Sequence, residues 1–272
     1  MIIWIASYPK SGNTWVRSFL SAYYFSKDGV FDIKNLTRIE DYPNKQFFSQ
    51  TVKEGEIHNH WEESQKKINK EGKVKFLKTH NSLIKAFGND FTQPKYSLGV
   101  IYIVRDPRNV ITSVKNHNDF SNYEEALKFM QNDNAILNDY KHLKNYAKTT
   151  IINSWRNNFY RRLTIKYEDM ISKPYEVFRD LVIFVNTLCR FNEGINSLKL
   201  NNSIETTSFD KLKNIENQGN FSESVYSLKD KRKIKFFFLG PKNDWRKELD
   251  KSLIKKMNEY YKEDLNKFGY EI

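Results

Sequence analysis

The chain has 272 residues, of which 39% are hydrophobic and 15% aromatic. This apolar content can fill a core, so a chain disordered throughout is excluded, and 10 glycines with 6 prolines exclude a collagen-like repeat. An excess of 45 basic over 33 acidic residues gives a net charge of +12, which favours an anionic partner, although a solvated Lys-rich surface explains it equally well. Cys189 is the single cysteine, which excludes an internal disulfide and a Cys-based zinc cluster.

Short apolar runs predict four strands, over residues 2–6, 74–77, 99–104 and 163–167. The run 99–104 does not alternate with polar residues, as expected for a strand covered on both faces of a parallel sheet. Helical periodicity predicts helices over residues 15–24, 110–117, 174–188 and 247–268. Strands separated by helices predict an α/β fold with helices on both faces of one sheet. We expect a single domain over residues 1–272.

Two long polar regions, residues 27–72 and 201–235, are predicted to form lids or ligand walls rather than core. The first contains His58, His60 and Trp61, and for the two histidines we predict a surface or substrate-wall position. No carboxylate or cysteine accompanies the two histidines in a ligand pattern, so a metal site is not predicted. No apolar run reaches the ~18 residues of a membrane helix, and the apolar N-terminus lacks a basic leader, so we expect a cytoplasmic protein.

The loop between the first predicted strand and helix, residues 7–15, reads SYPKSGNTW. Such a loop offers an anion backbone N–H groups and the positive end of the helix dipole. Gly12 lets a ligand approach the backbone closely, and Lys10 adds a full charge. Thr14 is the predicted N-cap. Further hydrogen bonds would come from the side chains of Ser11, Asn13 and Thr14. A strand–turn–helix connection without a ligand would explain the presence of Gly12 and Thr14, but it would not explain Lys10 and Ser11.

Polar residues also follow two other predicted strands. Arg105 directly follows the run 99–104, and Ser113 lies two helical turns further on, so both side chains could reach one phosphate. An ion pair between Arg105 and Asp106 would also explain the arginine. His80 follows the strand over residues 74–77, where ligands of open α/β sheets bind. A histidine there could accept a proton from an attacking hydroxyl, and a purely structural hydrogen bond explains it as well.

Taken in order, these segments resemble the sulfotransferase family that uses 3′-phosphoadenosine 5′-phosphosulfate (PAPS). The sequence YPKSGNTW over residues 8–15 is similar to the family's phosphosulfate loop, YPKSGTTW, with Asn13 in place of a threonine. The resemblance implies a P-loop-like three-layer fold, in which helices flank a central, mainly parallel sheet. It also implies sulfuryl transfer from PAPS to a hydroxyl or amine, with 3′-phosphoadenosine 5′-phosphate (PAP) as the product and no metal.

The resemblance also implies roles for individual residues. The catalytic set would be His80 as the base, Lys10 at the leaving oxygen and Lys78 at the sulfuryl oxygens. The 5′-phosphate would be bound by Lys10, Ser11, Gly12, Asn13 and Thr14. The 3′-phosphate would be bound by Arg105 and Ser113. Contacts to the adenine would come from Trp15, Tyr167, Thr207 and Phe209.

The family's last motif, RKGxxGDWK, is only partly present. Residues 238–246 read FLGPKNDWR, so Gly240 aligns while Phe238 and Leu239 replace the Arg-Lys pair and Asn243 replaces the second glycine. We therefore expect weaker cofactor binding or a different donor fit, with Lys242 or the basic residues in 231–235 supplying the missing charge. The dimer motif of many cytosolic members is not evident, which leaves the oligomeric state open.

Two other functions remain possible at this point. An ATP-dependent small-molecule kinase shares strand–loop–helix phosphate sites, but Lys10 precedes Gly12 and no Gly-Lys-Ser/Thr sequence follows. A basic nucleic-acid-binding protein would use the net charge, yet no nucleic-acid-binding module is recognisable. We expect no nucleic acid partner and no integral membrane segment. The acceptor is left open among small molecules, carbohydrates and lipids.

Overall fold

The computed structural model describes residues 1–131, 155, 161–221, 223, 225–227 and 229–272. The chain divides into two compact units. The first unit comprises Met1–Val104 and Asn132–Thr206, and the second comprises Arg105–Gln131 and Thr207–Ile272. The single domain over residues 1–272 stays a prediction.

The first unit is built on a parallel sheet. Its strands are β1 Ile2–Ser7, β2 Glu40–Asp41, β3 Lys75–Thr79, β4 Lys85–Ala86, β5 Asn89–Asp90, β6 Ser97–Val104 and β7 Arg162–Lys166. Five of them form one sheet in the order β2-β3-β1-β6-β7, in which all neighbouring strands pair in parallel. β4 and β5 form a separate antiparallel hairpin. The four predicted strands are confirmed with small shifts at their ends, and the central β1 is buried along its whole length.

Helices cover both faces of this sheet. The helices of the first unit are Asn13–Phe25, Ile33–Leu36, Trp61–Lys70, Tyr167–Ser172, Pro174–Cys189 and Ser197–Thr206, with 3₁₀ turns at Lys45–Phe47, Glu54–His60 and Pro94–Tyr96. On one face, Ile3 and Ile5 of β1 join a core with Phe19 and Phe178, whose rings stack at 4.2 Å. Side chains alternate along a strand, so Trp4 points to the other face, where its ring lies 5.3 Å from that of Phe91.

The region over residues 27–72 contributes to that second core, so the expectation that it forms only lids or walls is wrong. Trp61 is fully buried, and its ring lies 5.1 Å from Phe91. Tyr42, in the same region, is also buried and donates its hydroxyl toward the Trp61 carbonyl. The large ring of Trp61 therefore belongs to the core on this face of the sheet.

The second unit is mainly helical. Its helices are Pro107–His117, Tyr123–Gln131, Phe209–Asn217, Trp245–Glu248, Lys251–Tyr260 and Lys262–Phe268, with a hairpin of β8 Val225–Tyr226 and β9 Lys233–Ile234 and a 3₁₀ turn at Gly240–Lys242. The single helix predicted over residues 247–268 is three helices. The chain is extended at Leu249, and Asp250 starts a new helix by accepting a hydrogen bond from the Leu253 N–H at 2.9 Å.

The polar region 201–235 is also more regular than predicted. Helical residues occupy much of it, within Ser197–Thr206 and Phe209–Asn217. Over the described part of the chain, none of the helices combines the length and the apolar character that crossing a membrane requires.

Candidate active site

His80 and Ser7 meet at the carboxyl edge of the sheet. β1 and β3 are parallel neighbours in which Ala6 pairs with Thr79, so the next residue of each strand emerges at the same edge. His80 Nδ1 lies 2.8 Å from the Ser7 carbonyl oxygen and 3.3 Å from Ser7 Oγ. A carbonyl oxygen only accepts, so the neutral imidazole carries its hydrogen on Nδ1 and has Nε2 as the accepting nitrogen. This tautomer is the one that a general base needs.

The loop after β1 leads into a helix whose cap residue is a glycine and so has no side chain to cap it. The helix begins at Asn13, and the cap residue is Gly12, whose φ of 100° is in the left-handed region. Lys10 also has a positive φ, 66°. Thr14 lies inside the first helical turn, so its prediction as the N-cap is wrong, because Gly12 already makes the turn into the helix. Donors at such a helix start suit an anion.

Gly12 is required by a close approach as well as by its backbone angle. A Cβ at Gly12 would lie 2.6 Å from Cδ2 of Tyr167. Tyr167 is buried at the start of the helix Tyr167–Ser172, and its ring meets the half-buried Trp15 edge-on at 6.0 Å. Tyr167 thus supports the loop from the core, while the adenine contacts of Tyr167 and Trp15 stay predictions.

Asn13 directs its amide into the protein. Its Nδ2 donates to the Ile5 carbonyl oxygen at 3.1 Å and to Ser7 Oγ at 3.2 Å, and the side chain is buried. Both amide hydrogens are therefore used by β1, which differs from the predicted side-chain contact to the 5′-phosphate. Asn13 instead ties the start of the helix to Ser7, the residue that holds His80.

Lys78 forms an ion pair at the neighbouring edge position. Its Nζ lies 2.8 Å from Oδ2 of Asp41, which pairs with Lys78 in the strand register. About half of the Asp41 side chain is exposed, so the pair contributes about 1 kcal/mol or less to stability. The Lys78 charge is thus paired with a carboxylate. Lys10 is half-buried in the loop after β1.

In the second unit, Asp106 binds Arg108. The Arg108 guanidinium lies 2.7 Å from the Asp106 carboxylate, both side chains are buried, and Asp106 also caps the helix by accepting from the Arg108 N–H. Arg108 further donates to Asn258 and lies 4.0 Å from the ring of Trp245. The sequence Asp-Pro-Arg could have indicated this, since Asp caps and Pro starts helices. Ser113 is half-buried two turns along the same helix.

The altered C-terminal motif retains a glycine for a steric reason. A Cβ at Gly240 would lie 2.2 Å from the ring of Phe209, and Gly240 has a φ of +56°. Lys242 is exposed at the end of the 3₁₀ turn. Thr207 is fully buried.

Asn243, at the position of the family's second glycine, anchors this motif. Its Nδ2 donates to the Asn109 carbonyl oxygen at 2.7 Å and to Thr112 Oγ1 at 2.8 Å. These partners belong to the helix that carries Ser113. The segment with Lys242 is therefore held against the Ser113 helix, a relationship that the motif comparison alone did not reveal.

Arg17 is a second residue that the motifs did not indicate. It lies one turn after Thr14 in the helix Asn13–Phe25, only 4% of it is exposed, and its guanidinium donates to Thr14 Oγ1 at 3.3 Å. In the sequence, its burial was indicated by the apolar or small residues at the neighbouring positions of this helix.

The chain is similar to known sulfotransferases over nearly its whole length. The family model of the sulfotransferase domain matches residues 2–269. Sulfotransferase 1E1 of Mus musculus is 25% identical over an alignment that covers 96% of this chain and 82% of that relative.

Solved structures give the same result at the level of the fold. Retinol dehydratase in complex with androsterone and PAP has a TM-score of 0.61 at 16% identity, covering 97% of this chain and 80% of that one. Mouse sulfotransferase SULT7A1 complexed with PAP has a TM-score of 0.59 at 15% identity, covering 97% and 84%. The predicted fold, a central parallel sheet flanked by helices, is confirmed. The two alternative functions, an ATP-dependent kinase and a nucleic-acid-binding protein, are not favoured. The chain belongs to the sulfotransferase domain family, and it is a sulfotransferase.

Proposed function

We propose that this enzyme moves a sulfuryl group from PAPS to the hydroxyl of a small-molecule acceptor, with His80 as the general base. The observation that carries the proposal is the hydrogen bond from His80 Nδ1 to the Ser7 carbonyl, beside a helix start capped by Gly12. The acceptor oxygen forms a bond to sulfur while the bond from sulfur to the PAP oxygen breaks. His80 Nε2 takes the acceptor's proton, and the negative charge leaves on PAP.

The loop in the first unit fits the 5′ end of such a donor. Gly12 has no side chain to cap the helix start, and Tyr167 packs against it from the core side of the loop. We assign the 5′-phosphate to the loop amides and the hydroxyls of Ser11 and Thr14, with Lys10 balancing charge on the leaving oxygen. Asn13 contributes by holding the helix start in place rather than as a ligand.

Lys78 is proposed to stabilise the sulfuryl oxygens. Its ammonium pairs with Asp41, so this role requires Lys78 to exchange that partner for the donor. Asp41→Asn should therefore leave kcat unchanged or raise it, whereas Lys78→Met should lower it. Equal small losses from both variants would mean that the pair is only structural.

The remaining donor contacts are assigned to the second unit and the aromatic residues. Arg105, Ser113 and Lys242 are proposed for the 3′-phosphate. Attachment of the Lys242 segment to the Ser113 helix through Asn243 supports this grouping. The adenine is assigned to Trp15, Tyr167, Thr207 and Phe209. No step in this scheme uses a metal.

A small molecule bearing a hydroxyl is the proposed acceptor class. Solved structures of retinol dehydratase include complexes with androsterone and with retinol, together with PAP. The 272-residue chain, proposed to act in the cytoplasm, would be incubated with PAPS radiolabelled in its sulfuryl group and with a panel of phenols, alcohols, amines and sugars.

We expect label to move to a hydroxyl acceptor and unlabelled PAP to inhibit this transfer. Label transfer from γ-labelled ATP and magnesium, with none from PAPS, would overturn the proposal in favour of a kinase. Salt-sensitive binding to DNA or RNA without any PAP binding would overturn it in favour of a nucleic-acid-binding protein.

A further inference from the structure

The side chain of Asn243 joins the altered C-terminal motif to a helix of the second unit. Its Nδ2 donates to the Asn109 carbonyl oxygen at 2.7 Å and to Thr112 Oγ1 at 2.8 Å. A carbonyl oxygen only accepts, so the amide nitrogen of Asn243 must face this helix. The backbone N–H of Trp245 adds a third contact, to Asn109 Oδ1 at 2.9 Å. These three hydrogen bonds fix the chain directly after Lys242.

The same face of that helix carries Ser113. Asn109, Ser113 and Asn116 follow one another at intervals of four and three residues, which places their side chains on one side of a helix. Asn116 Nδ2 donates to the Lys235 carbonyl oxygen at 2.8 Å. The segment that contains Lys242 is thus attached, both before and after this lysine, to the face on which Ser113 lies.

The short turn that ends in Lys242 is itself held in place. It is a 3₁₀ turn that begins at Gly240, and the Asn243 N–H donates to the Gly240 carbonyl oxygen at 3.1 Å. Phe209 packs closely against the turn, since a Cβ at Gly240 would lie 2.2 Å from that ring. The side chain of Lys242 is exposed. The turn therefore offers an exposed ammonium group on a backbone that is fixed next to its anchor, Asn243.

Two other basic residues that could replace the missing Arg-Lys pair are occupied by partners. Both belong to the run over residues 231–235. Arg232 forms an ion pair with Asp119, and Lys233 Nζ donates to the Glu216 carbonyl oxygen at 3.5 Å. These two charges are therefore less available to a phosphate than an exposed lysine within the motif itself.

We propose that Asn243 is a positioning residue for the donor nucleotide: its side chain holds Lys242 beside Ser113, where the lysine binds the 3′-phosphate in place of the family's Arg-Lys pair. The inference rests on the proposed function, in which Arg105, Ser113 and Lys242 are assigned to that phosphate. Because Asn243 acts through Lys242, it affects only ligands that carry a 3′-phosphate.

Calorimetric titration of the 272-residue chain with PAP and with adenosine 5′-monophosphate tests this role, because the second ligand lacks only the 3′-phosphate. We expect Asn243→Ala to weaken PAP binding by about 3- to 10-fold, the loss of an exposed and partly screened charge. Its affinity for adenosine 5′-monophosphate should match the wild type. The φ of −70° and ψ of 112° at Asn243 suit an alanine, so the variant introduces no backbone strain. Asn220→Ala, at an exposed asparagine of the same unit, should change neither affinity.

A double-mutant cycle tests the route through Lys242. If Asn243 acts by holding this lysine, Asn243→Ala should cause no further loss of PAP affinity in a chain that already carries Lys242→Ala. A purely structural role would instead weaken PAP binding in both backgrounds. Thr112→Val removes one of the two acceptors of the Asn243 amide, so it should cause a smaller loss, also confined to PAP. This variant supplies the readout if Asn243→Ala does not fold.

Equal weakening of both ligands by Asn243→Ala would overturn the inference. Wild-type PAP affinity in both the Asn243 and the Thr112 variants, or strictly multiplicative losses in the cycle, would overturn it as well. Failure of the proposed function itself gives a different result, in which the wild-type chain does not bind PAP or binds it no more tightly than adenosine 5′-monophosphate.

Discussion

The imidazole of His80 and the backbone of Ser7 are joined by a hydrogen bond of 2.8 Å between Nδ1 and the carbonyl oxygen. The bond crosses from the end of β3 to the end of β1, and Ser7 Oγ also accepts from Asn13 at 3.2 Å. Ser7 therefore holds both the proposed base, His80, and Asn13 at the start of the helix after the loop. Because a backbone carbonyl is the partner, no side-chain change at Ser7 removes the contact that sets the tautomer.

His80→Ala should abolish most turnover. Loss of a general base typically lowers kcat by about 100- to 10,000-fold, while PAP binding should stay near the wild-type value because the loop is intact. Steady-state kinetics and calorimetry measure the two quantities. His60→Ala, a half-exposed histidine beside Glu63, is the matched control and should keep wild-type turnover. Near-native turnover in His80→Ala would refute the assignment of the base.

Gly12→Ala should weaken PAP binding strongly and lower stability. The new Cβ would lie 2.6 Å from Tyr167 at a φ of +100°, so both the ring and the loop must move. Gly88→Ala is the control, since Gly88 has a φ of +88° with nothing within 4 Å of its Cβ position. It carries only the backbone strain, about 1 to 3 kcal/mol. The prediction fails if the two variants bind PAP equally well.

Asn13→Ala should lower the free energy of unfolding by about 1 to 3 kcal/mol, because the buried partners at Ile5 and Ser7 lose their donor. PAP affinity should change by only about threefold, the limit expected for a residue that makes no direct contact. Chemical denaturation and calorimetry give the two values. The exposed Asn217→Ala should leave stability within about 0.5 kcal/mol. A large, selective loss of PAP affinity without loss of stability would make Asn13 a ligand after all.

Lys242→Ala tests the replacement for the missing Arg-Lys pair. We expect PAP binding to weaken by about 3- to 10-fold, because the lysine is exposed and its charge is partly screened. Binding of adenosine 5′-monophosphate, which lacks the 3′-phosphate, should not change. Lys251→Ala, another exposed lysine of the second unit, should alter neither. Unchanged PAP affinity would remove Lys242 from the 3′-phosphate site.

His58 should make stability depend on pH. Burial lowers the pKa of His58 below its ordinary value of 6.5, in a position where its ring lies 5.0 Å from that of Phe87. As the pH falls below 6.5, the unfolded chain binds a proton that the folded chain resists. The stabilisation present above that pH is then lost as the pH falls through the lowered pKa.

His58→Gln removes this titration. Its thermal midpoint should fall less than that of the wild type between about pH 7.5 and about pH 5.5, the range in which histidine titrates. Thermal unfolding at several pH values measures the difference. Parallel pH profiles for the two proteins would show that His58 does not resist protonation.

The main strands, most of the helices and the family could be predicted from local segments of the sequence. Apolar runs such as 99–104 identify buried strands because burial on both faces is a property of the segment itself. The loop over residues 7–15 was recognisable because it lies between a predicted strand and a predicted helix and its sequence is similar to the family's phosphosulfate loop. The helix break at Asp250 was missed, since a polar cap inside an amphipathic pattern looks like one more exposed position.

Which polar groups already have a partner within the protein could be seen only in the folded chain. Asn13 donates its amide hydrogens to Ile5 and Ser7, and Lys78 pairs with Asp41. Each residue type allows several partners, and the choice depends on which strands and helices lie side by side. Burial of Trp61 and Arg17 follows from the same cause. Packing between segments far apart in the chain decides which hydrogen-bond donor and which charge pair with each other, and a local sequence pattern does not show these pairings.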